Sequence, residues 1–191
     1  MRIVAGAWRG RTLVAPPGQG TRPTADRVRQ ALFDMLIHAE WGGRAAIEGA
    51  TVLDVFAGTG ALGLEALSRG AASACFIEQD QAALKALRAN VAACRAGDRV
   101  TVVAGDVLSL RAAVAARVPT KGASLVFLDP PYGHDLVPRA IAHLMRTGSI
   151  DPEALIVAET GQDEAWLPDQ PLLAERRHGA ARMLVFRAPE D

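Results

Sequence analysis

Short apolar alternation opens the chain before any helical pattern begins. Ile3-Val4 and Thr12-Leu13-Val14 flank a stretch rich in Arg and Gly, which predicts a short hairpin within residues 1–23, an arm more than a core. From Thr24 onward the period lengthens. Val28, Leu32, Met35 and Leu36 recur at helical spacing behind Asp26, an acid placed where a helix dipole favours negative charge. After Gly49, short β-branched or apolar runs alternate with helical stretches. Strands are expected at 51–56, 74–78, 100–104, 124–129 and 154–159, and helices at 61–69, 80–94, 107–117 and 135–147, with Leu84, Leu87 and Val91 an apolar stripe. This alternation builds βαβ units on a parallel sheet covered on both faces, so a strand such as Leu125-Val126-Phe127-Leu128 can be hydrophobic throughout. At the end, 172–177 and 182–187 flank His178-Gly179-Ala180 and predict a closing antiparallel hairpin. The expected fold is α/β, with a basic arm over 1–23 and one catalytic domain over 24–191.

Composition narrows the setting. With 191 residues, half of them hydrophobic, the chain supports one compact domain. Its 21 basic and 21 acidic side chains cancel, so total charge points to no polyanionic partner. The distribution does. Arg2, Arg9, Arg11, Arg22, Arg27 and Arg29 stand against one acid, Asp26, in the first thirty residues, with Trp8 interleaved. Arg2, Trp8, Arg9, Arg11, Arg22 and Arg27 are therefore candidate RNA contacts, suited to phosphate neutralisation and base stacking. A solvated charged face has the same composition, and no large second domain is present to read DNA in the major groove. Arg22 and Thr24 equally suit the methionine end of a cofactor beside the glycine loop described below. Cys75 and Cys94 lack CxxC spacing, which implies neither a disulfide framework nor zinc and fits a reduced, cytoplasmic setting. His38, His134, His143 and His178 lack metal spacing and are read as structural or surface residues, His134 being a minor pocket candidate. No metal is expected. No stretch approaches the ~20 apolar residues of a membrane span, so a soluble protein without a membrane partner is expected.

Two segments carry chemistry. The first strand ends in Asp54-Val55-Phe56-Ala57-Gly58-Thr59-Gly60-Ala61-Leu62-Gly63, a GxGxxG between strand and helix. Glycines there permit a tight turn and let backbone N–H groups approach a nucleotide-type ligand, although the same motif also serves as a turn that binds nothing. Glu78, ending the second strand, is positioned to accept ribose hydroxyls, which NAD and S-adenosylmethionine both carry. Asp106, followed by Val107, receives an adenine amino group or caps the next helix. Asp54, Phe56, Ala57, Gly58, Thr59, Gly60, Glu78, Asp106 and Val107 are the candidate cofactor residues.

The second segment is Asp129-Pro130-Pro131-Tyr132, at the end of the fourth strand. The amino group of a nucleobase is a poor nucleophile because its lone pair is delocalised into the ring. A carboxylate and a backbone carbonyl, each accepting one N–H, hold that lone pair out of conjugation and stabilise the charge that develops on nitrogen. Asp129 and the Pro130 carbonyl are the candidates; the prolines, Pro130 and Pro131, fix the backbone and offer no competing N–H. Tyr132 offers a ring on which an extruded base can stack. An Asp-Pro-Pro turn with a surface tyrosine is the plainer reading of the tetrapeptide alone. Joined to the glycine loop at the same sheet edge, it points to an amino-methyltransferase and away from an NAD-dependent oxidoreductase.

With these motifs the chain resembles the amino-methyltransferases, and more closely the bacterial RsmD family of small-subunit rRNA guanine-N2 methyltransferases. The resemblance runs through Arg2 to Arg11, Arg22 to Arg29, Phe56 to Gly63 with Leu64 to Gly70, and Asp129 to Tyr132. It implies a Rossmann-like class I methyltransferase with a seven-stranded, mostly parallel sheet, S-adenosyl-L-methionine as cofactor, and one guanine N2 of 16S ribosomal RNA as target, within the small subunit. A monomer is expected. The alternatives are a DNA adenine-N6 or cytosine-N4 methyltransferase, an oxidoreductase and a catalytically silent RNA-binding module. His178-Gly179 departs from the aromatic expected before that glycine, so an RNA role for the C-terminal hairpin does not follow from the resemblance.

Overall fold

A computed structural model describes residues 1–16, 23–109 and 122–189. Seven strands, β1 (Thr51–Val55), β2 (Ser73–Glu78), β3 (Val100–Ala104), β4 (Ala123–Leu128), β5 (Ile150–Gly161), β6 (Ala174–His178) and β7 (Ala181–Arg187), form one sheet in the order β3-β2-β1-β4-β5-β7-β6. β1 to β5 run parallel, and β7 lies antiparallel to both β5 and β6. The mostly parallel seven-stranded sheet with a closing hairpin is the one the sequence predicts. Among the described residues, four α-helices, α1 (Pro23–His38), α2 (Ala61–Ser68), α3 (Gln81–Ala93) and α4 (Leu136–Arg146), flank it.

Alternation along each strand divides the core in two. Val52, Phe76, Leu125, Phe127 and Val157 pack with Phe33 and Leu36 of α1, Leu64 and Leu67 of α2, and Leu84 and Leu87 of α3. Leu53, Val55, Ile77, Val126, Leu128 and Ile156 face the other way, onto Val137, Ile141 and Leu144 of α4. The Phe33 and Phe127 rings meet at 5.8 Å. At ~1.5–3 kcal/mol per fully buried large side chain, these two layers dominate the stabilisation. Among the described residues no helix is long and apolar enough to cross a membrane.

The N-terminal segment departs from the expected arm. Ile3 and Leu13 are fully buried in the layer under α1 and α2. The hairpin is irregular, with one isolated bridge between Arg2 and Thr12 and the bonds Ile3 N–H to Arg11 O (2.9 Å) and Leu13 N–H to Met1 O (3.0 Å). Helix α2 completes the pairing. Glu65, with no exposed surface, accepts the N–H groups of Val4 (2.9 Å) and Ala5 (3.0 Å), while Ser68 Oγ accepts from Trp8 N–H and donates to Ala5 O. Gly6, at φ +78°, passes so near α2 that a Cβ would lie 1.9 Å from Ser68 O. Arg29 is drawn into the same layer, 2.8 Å from Asp26 and 3.5 Å from Glu65, and leaves the exposed basic set.

Other boundaries shift for local reasons. β5 begins at Ile150, four residues before the expected start, because Ala123 pairs with Ile150 and Leu125 with Leu155, so a bulge absorbs the extra residues, Pro152 among them. Residues 107–109 form a turn, and the remainder of the helix expected over 107–117 lies outside the described residues, as does Arg22.

Candidate active site

The strand order reverses between β1 and β4, where open α/β sheets bind ligands at the carboxyl ends of their strands. Register aligns the candidates there. Val55 pairs with Ile77 and Leu128, and Leu128 with Ala158, so the next rung runs Glu78, Phe56, Asp129, Glu159 across four neighbouring strands. It continues into the hairpin, where Glu159 pairs with Met183 and Met183 with Arg176. All six residues from Glu78 to Arg176 line a cleft of about 930 Å³.

The glycine turn forms one side of this cleft. Phe56 turns the chain out of β1 at φ +61°, a conformation a bulky residue rarely adopts. Ala57 N–H donates to Ile77 O at 3.0 Å, and Gly58 N–H donates to a Glu78 carboxylate oxygen at 2.7 Å. Gly58 has φ +55° and open space where a Cβ would stand. Gly60 does not line the cleft; its own Cβ would come within 2.4 Å of Leu87, so its smallness serves helix packing. Gly63 likewise lies against Phe76, and its N–H donates to Asp54 at 2.9 Å. Glu78 also accepts from Gln79 and Asp80 N–H, both at 2.8 Å. Asp106 lines the cleft while accepting from Leu108 N–H and Ser109 Oγ, so it both faces the space and organises its turn. Thr59 and Val107 also line it.

Asp54 lies beneath the turn and is almost wholly buried. Loss of water pushes its carboxyl up to about 8; the Gly63 N–H opposes that rise, and the charges of Asp129 and Glu78 add to it. Asp129 opens onto the cleft, where solvent reaches one side of it. The protein walls around the carboxylate, and after them Glu159, push its pKa upward. Pro130 and Pro131 line the cleft beside it, whereas Tyr132 does not: the residue is 42% exposed and its hydroxyl donates to Glu159. Glu164 braces the following backbone, accepting from Gly133 N–H at 2.9 Å and Gly161 N–H at 3.1 Å.

Among the described residues, the candidate RNA contacts Arg2, Trp8, Arg9, Arg11 and Arg27 do not line the cleft. Arg2, Arg9, Arg11 and Arg27 are exposed, and an Arg11 guanidinium N–H donates to Ala93 O on α3. Trp8 is half-buried, with the Arg99 guanidinium 5.1 Å from its ring centre, so one face of the indole is already covered. The cleft instead gathers residues that the sequence did not mark as site candidates. Helix α1 supplies Val28, Leu32 and Met35, and the hairpin supplies Arg176, Arg177 and His178. His178 thus stands at the cleft rather than on a remote surface, and His134 is not among the lining residues. Glu159 had a legible signal, an acid ending an expected strand just as Asp129 does. Glu164 had none, since its partners, Gly133 and Gly161, lie on two separate segments of the chain.

Comparison with known proteins places the chain in a family. The family described as conserved hypothetical protein 95 matches residues 1–187. Ribosomal RNA small subunit methyltransferase D of Escherichia coli (strain K12) is 42% identical over 173 residues, 90% of this chain and 79% of that protein. The Haemophilus influenzae protein of the same name is 34% identical over 191 residues, 98% of this chain and 93% of its own. In solved structures, yhhF from Escherichia coli superposes with a TM-score of 0.79 at 36% identity, covering all of this chain and 99% of that one. The fold is Rossmann-like and of the methyltransferase type, and the chain belongs to this family, the RsmD family, over nearly its whole length.

Proposed function

We propose that the protein is an S-adenosylmethionine-dependent rRNA methyltransferase acting on the exocyclic N2 of a guanine in small-subunit ribosomal RNA, in the cytoplasm. One observation carries this reading: Asp129 and Phe56 occupy adjacent positions at the reversal of strand order, so the Asp-Pro-Pro segment and the glycine turn share one cleft. The relatives named rRNA methyltransferases supply the substrate class.

The residues present fit the cofactor. Space stands open over Gly58, and Glu78 has a lone pair left on the oxygen that accepts from Gly58, enough for a ribose hydroxyl. Gly58 and Thr59 would hold the cofactor's backbone-facing side, Glu78 its ribose and Asp106 its adenine amino group. When bound, S-adenosylmethionine supplies an electrophilic methyl group on a sulfonium that leaves as a neutral thioether. Asp129 and the Pro130 carbonyl each accept one N–H of the incoming amine. This pairing draws the nitrogen lone pair out of the ring and faces the developing positive charge with a carboxylate. The proton shed by nitrogen passes to Asp129, whose raised pKa suits it to hold that proton transiently.

The experiment is mass-spectrometric mapping of ribosomal RNA from cells lacking the gene, with rescue by purified protein. One guanine N2 methyl should be missing from small-subunit RNA and restored by the wild type, while Asp129→Ala binds cofactor but transfers nothing. Methyl transfer to duplex DNA, with none to small-subunit RNA or particles, overturns the reading.

A further inference from the structure

We propose that Glu159 is the residue by which the cleft selects guanine, accepting the ring N1–H while the neighbouring Asp129 accepts from the exocyclic N2 amine. The proposal rests on the reading of Asp129 as the amine-holding carboxylate and adds the second half of the recognised edge.

Geometry places the two acids as a pair. Leu128 and Ala158 are partners in the parallel β4–β5 ladder, and Asp129 and Glu159 follow them by one position each. Alternation turns both onto the face that holds Phe127 and Val157, under α1, and both line the cleft. Their separation is braced from two sides. The Tyr132 hydroxyl, three residues after Asp129, donates to Glu159 Oε1, and Glu164 ties Gly133 to Gly161 at the end of β5. The bond to Tyr132 occupies one carboxylate oxygen and leaves the other for a ligand. A preorganised pair of this kind costs little to align when a base arrives.

Base chemistry then decides what fits. Guanine alone among the standard bases presents two adjacent donors on one edge, N1–H and the N2 amine. In adenine the atom beside the amine is N1, and in cytosine N3, and each carries a lone pair. A second carboxylate next to the amine-holding one therefore accepts a hydrogen bond from guanine N1–H but meets a lone pair in the other two, leaving both groups unpaired. Glu159 turns an amine-binding site into a guanine-binding site, which also separates this cleft from one built for adenine N6 or cytosine N4.

The test compares two acceptors that carry the same 2-amino group. Small subunits are rebuilt from ribosomal proteins and unmethylated RNA, with guanosine or 2-aminopurine riboside ligated in at the mapped acceptor position. 2-Aminopurine keeps the amine but has a lone pair at N1. The wild-type protein should favour guanosine in kcat/KM by roughly a hundredfold. Glu159→Gln, whose amide can donate to a lone pair, should narrow that ratio by about tenfold or more, with melting temperature and S-adenosylhomocysteine affinity retained. Equal wild-type rates on the two acceptors overturn the proposal without any variant. So does an unchanged ratio in Glu159→Gln, including the case in which both rates fall together, since a role common to both bases is not selection. Failure of the wild type to methylate the guanosine acceptor at all rejects the underlying reading of the site instead.

Discussion

The side-chain amide of Asn90 donates to the carbonyl of Thr59 at 2.9 Å, and the same nitrogen donates to Val14 O at 3.0 Å while its oxygen accepts Val14 N–H at 2.8 Å. One buried residue of α3 thereby ties the glycine turn to the N-terminal segment, 1% of its surface being exposed. Asn90→Ala leaves three backbone groups without this partner and should cost about 2–4 kcal/mol of stability. Because the turn is one of the two things released, cofactor affinity should fall as well. Thermal unfolding and calorimetric titration with S-adenosylhomocysteine check the two effects separately; a destabilised variant with unchanged affinity would show that the turn holds its shape without Asn90.

Two glycines of one motif should fail in different ways. An added methyl at Gly63 meets Phe76 at 2.4 Å and Asp54 at 3.1 Å inside the helix–sheet contact, so Gly63→Ala should destabilise the fold by about 1–3 kcal/mol. At Gly58 the same methyl meets nothing within 4 Å and adds only the ~1 kcal/mol strain of a left-handed residue. Gly58→Ala should therefore leave the protein folded but place a methyl in the open space of the cleft, reducing cofactor binding more than melting temperature. Parallel melting and binding curves for the two variants test the division, and equal behaviour in both would refute it.

Asp54 gives the ligand-free protein a pH-dependent stability. Its carboxyl titrates near 8 when folded and near 3.8 when unfolded, so the unfolded state gives up its proton first as pH rises. The contribution is thus fully present below about 4 and is lost as pH climbs through 8, with a limiting slope of ~1.4 kcal/mol per pH unit for one proton. Asp54→Asn keeps an oxygen for Gly63 N–H and removes the titration. Denaturant unfolding between pH 5 and pH 8.5 should show stability falling in the wild type and a flatter profile in the variant. Parallel profiles would remove Asp54 as the cause.

Much of the fold was legible because central parallel strands are apolar on both faces and end in chemically distinctive residues. Leu125 to Leu128 reads as a buried strand without any tertiary knowledge, and Asp129 and the glycine turn mark where two strands stop. The N-terminal segment was less legible. Its alternation is visible, but the acid and hydroxyl that satisfy its backbone, Glu65 and Ser68, lie some sixty residues away on a helix that nothing in the local sequence links to it. The start of β5 was hidden by Pro152, which local pattern treats as a strand breaker and the bulge accommodates. Asp129 could be found by motif; Glu159 became its partner only through the β4–β5 register, which no local window contains.

Arg9 separates RNA attraction from structural anchoring more cleanly than its neighbours do. Arg29 is buried against Asp26 and Glu65, and Arg11 reaches Ala93 O, so replacing either disturbs packing as well as charge. Arg9 is exposed on the turn beside Trp8, and among the described residues its side chain makes no hydrogen bond or ion pair that would hold the segment down. If the basic segment neutralises phosphate, Arg9→Ala should leave melting temperature within about 1 °C of wild type and lower RNA affinity at low salt. The diagnostic quantity is the slope of log K against log salt concentration, which should shrink by about 0.7–0.9 for one lost phosphate contact. Fluorescence titrations of a small-subunit RNA fragment across a salt series measure it. An affinity loss with an unchanged slope would mean that Arg9 acts through shape or base contact, and an unchanged affinity would move the phosphate-binding surface elsewhere, with Arg176 and Arg177 at the cleft the next cations to replace.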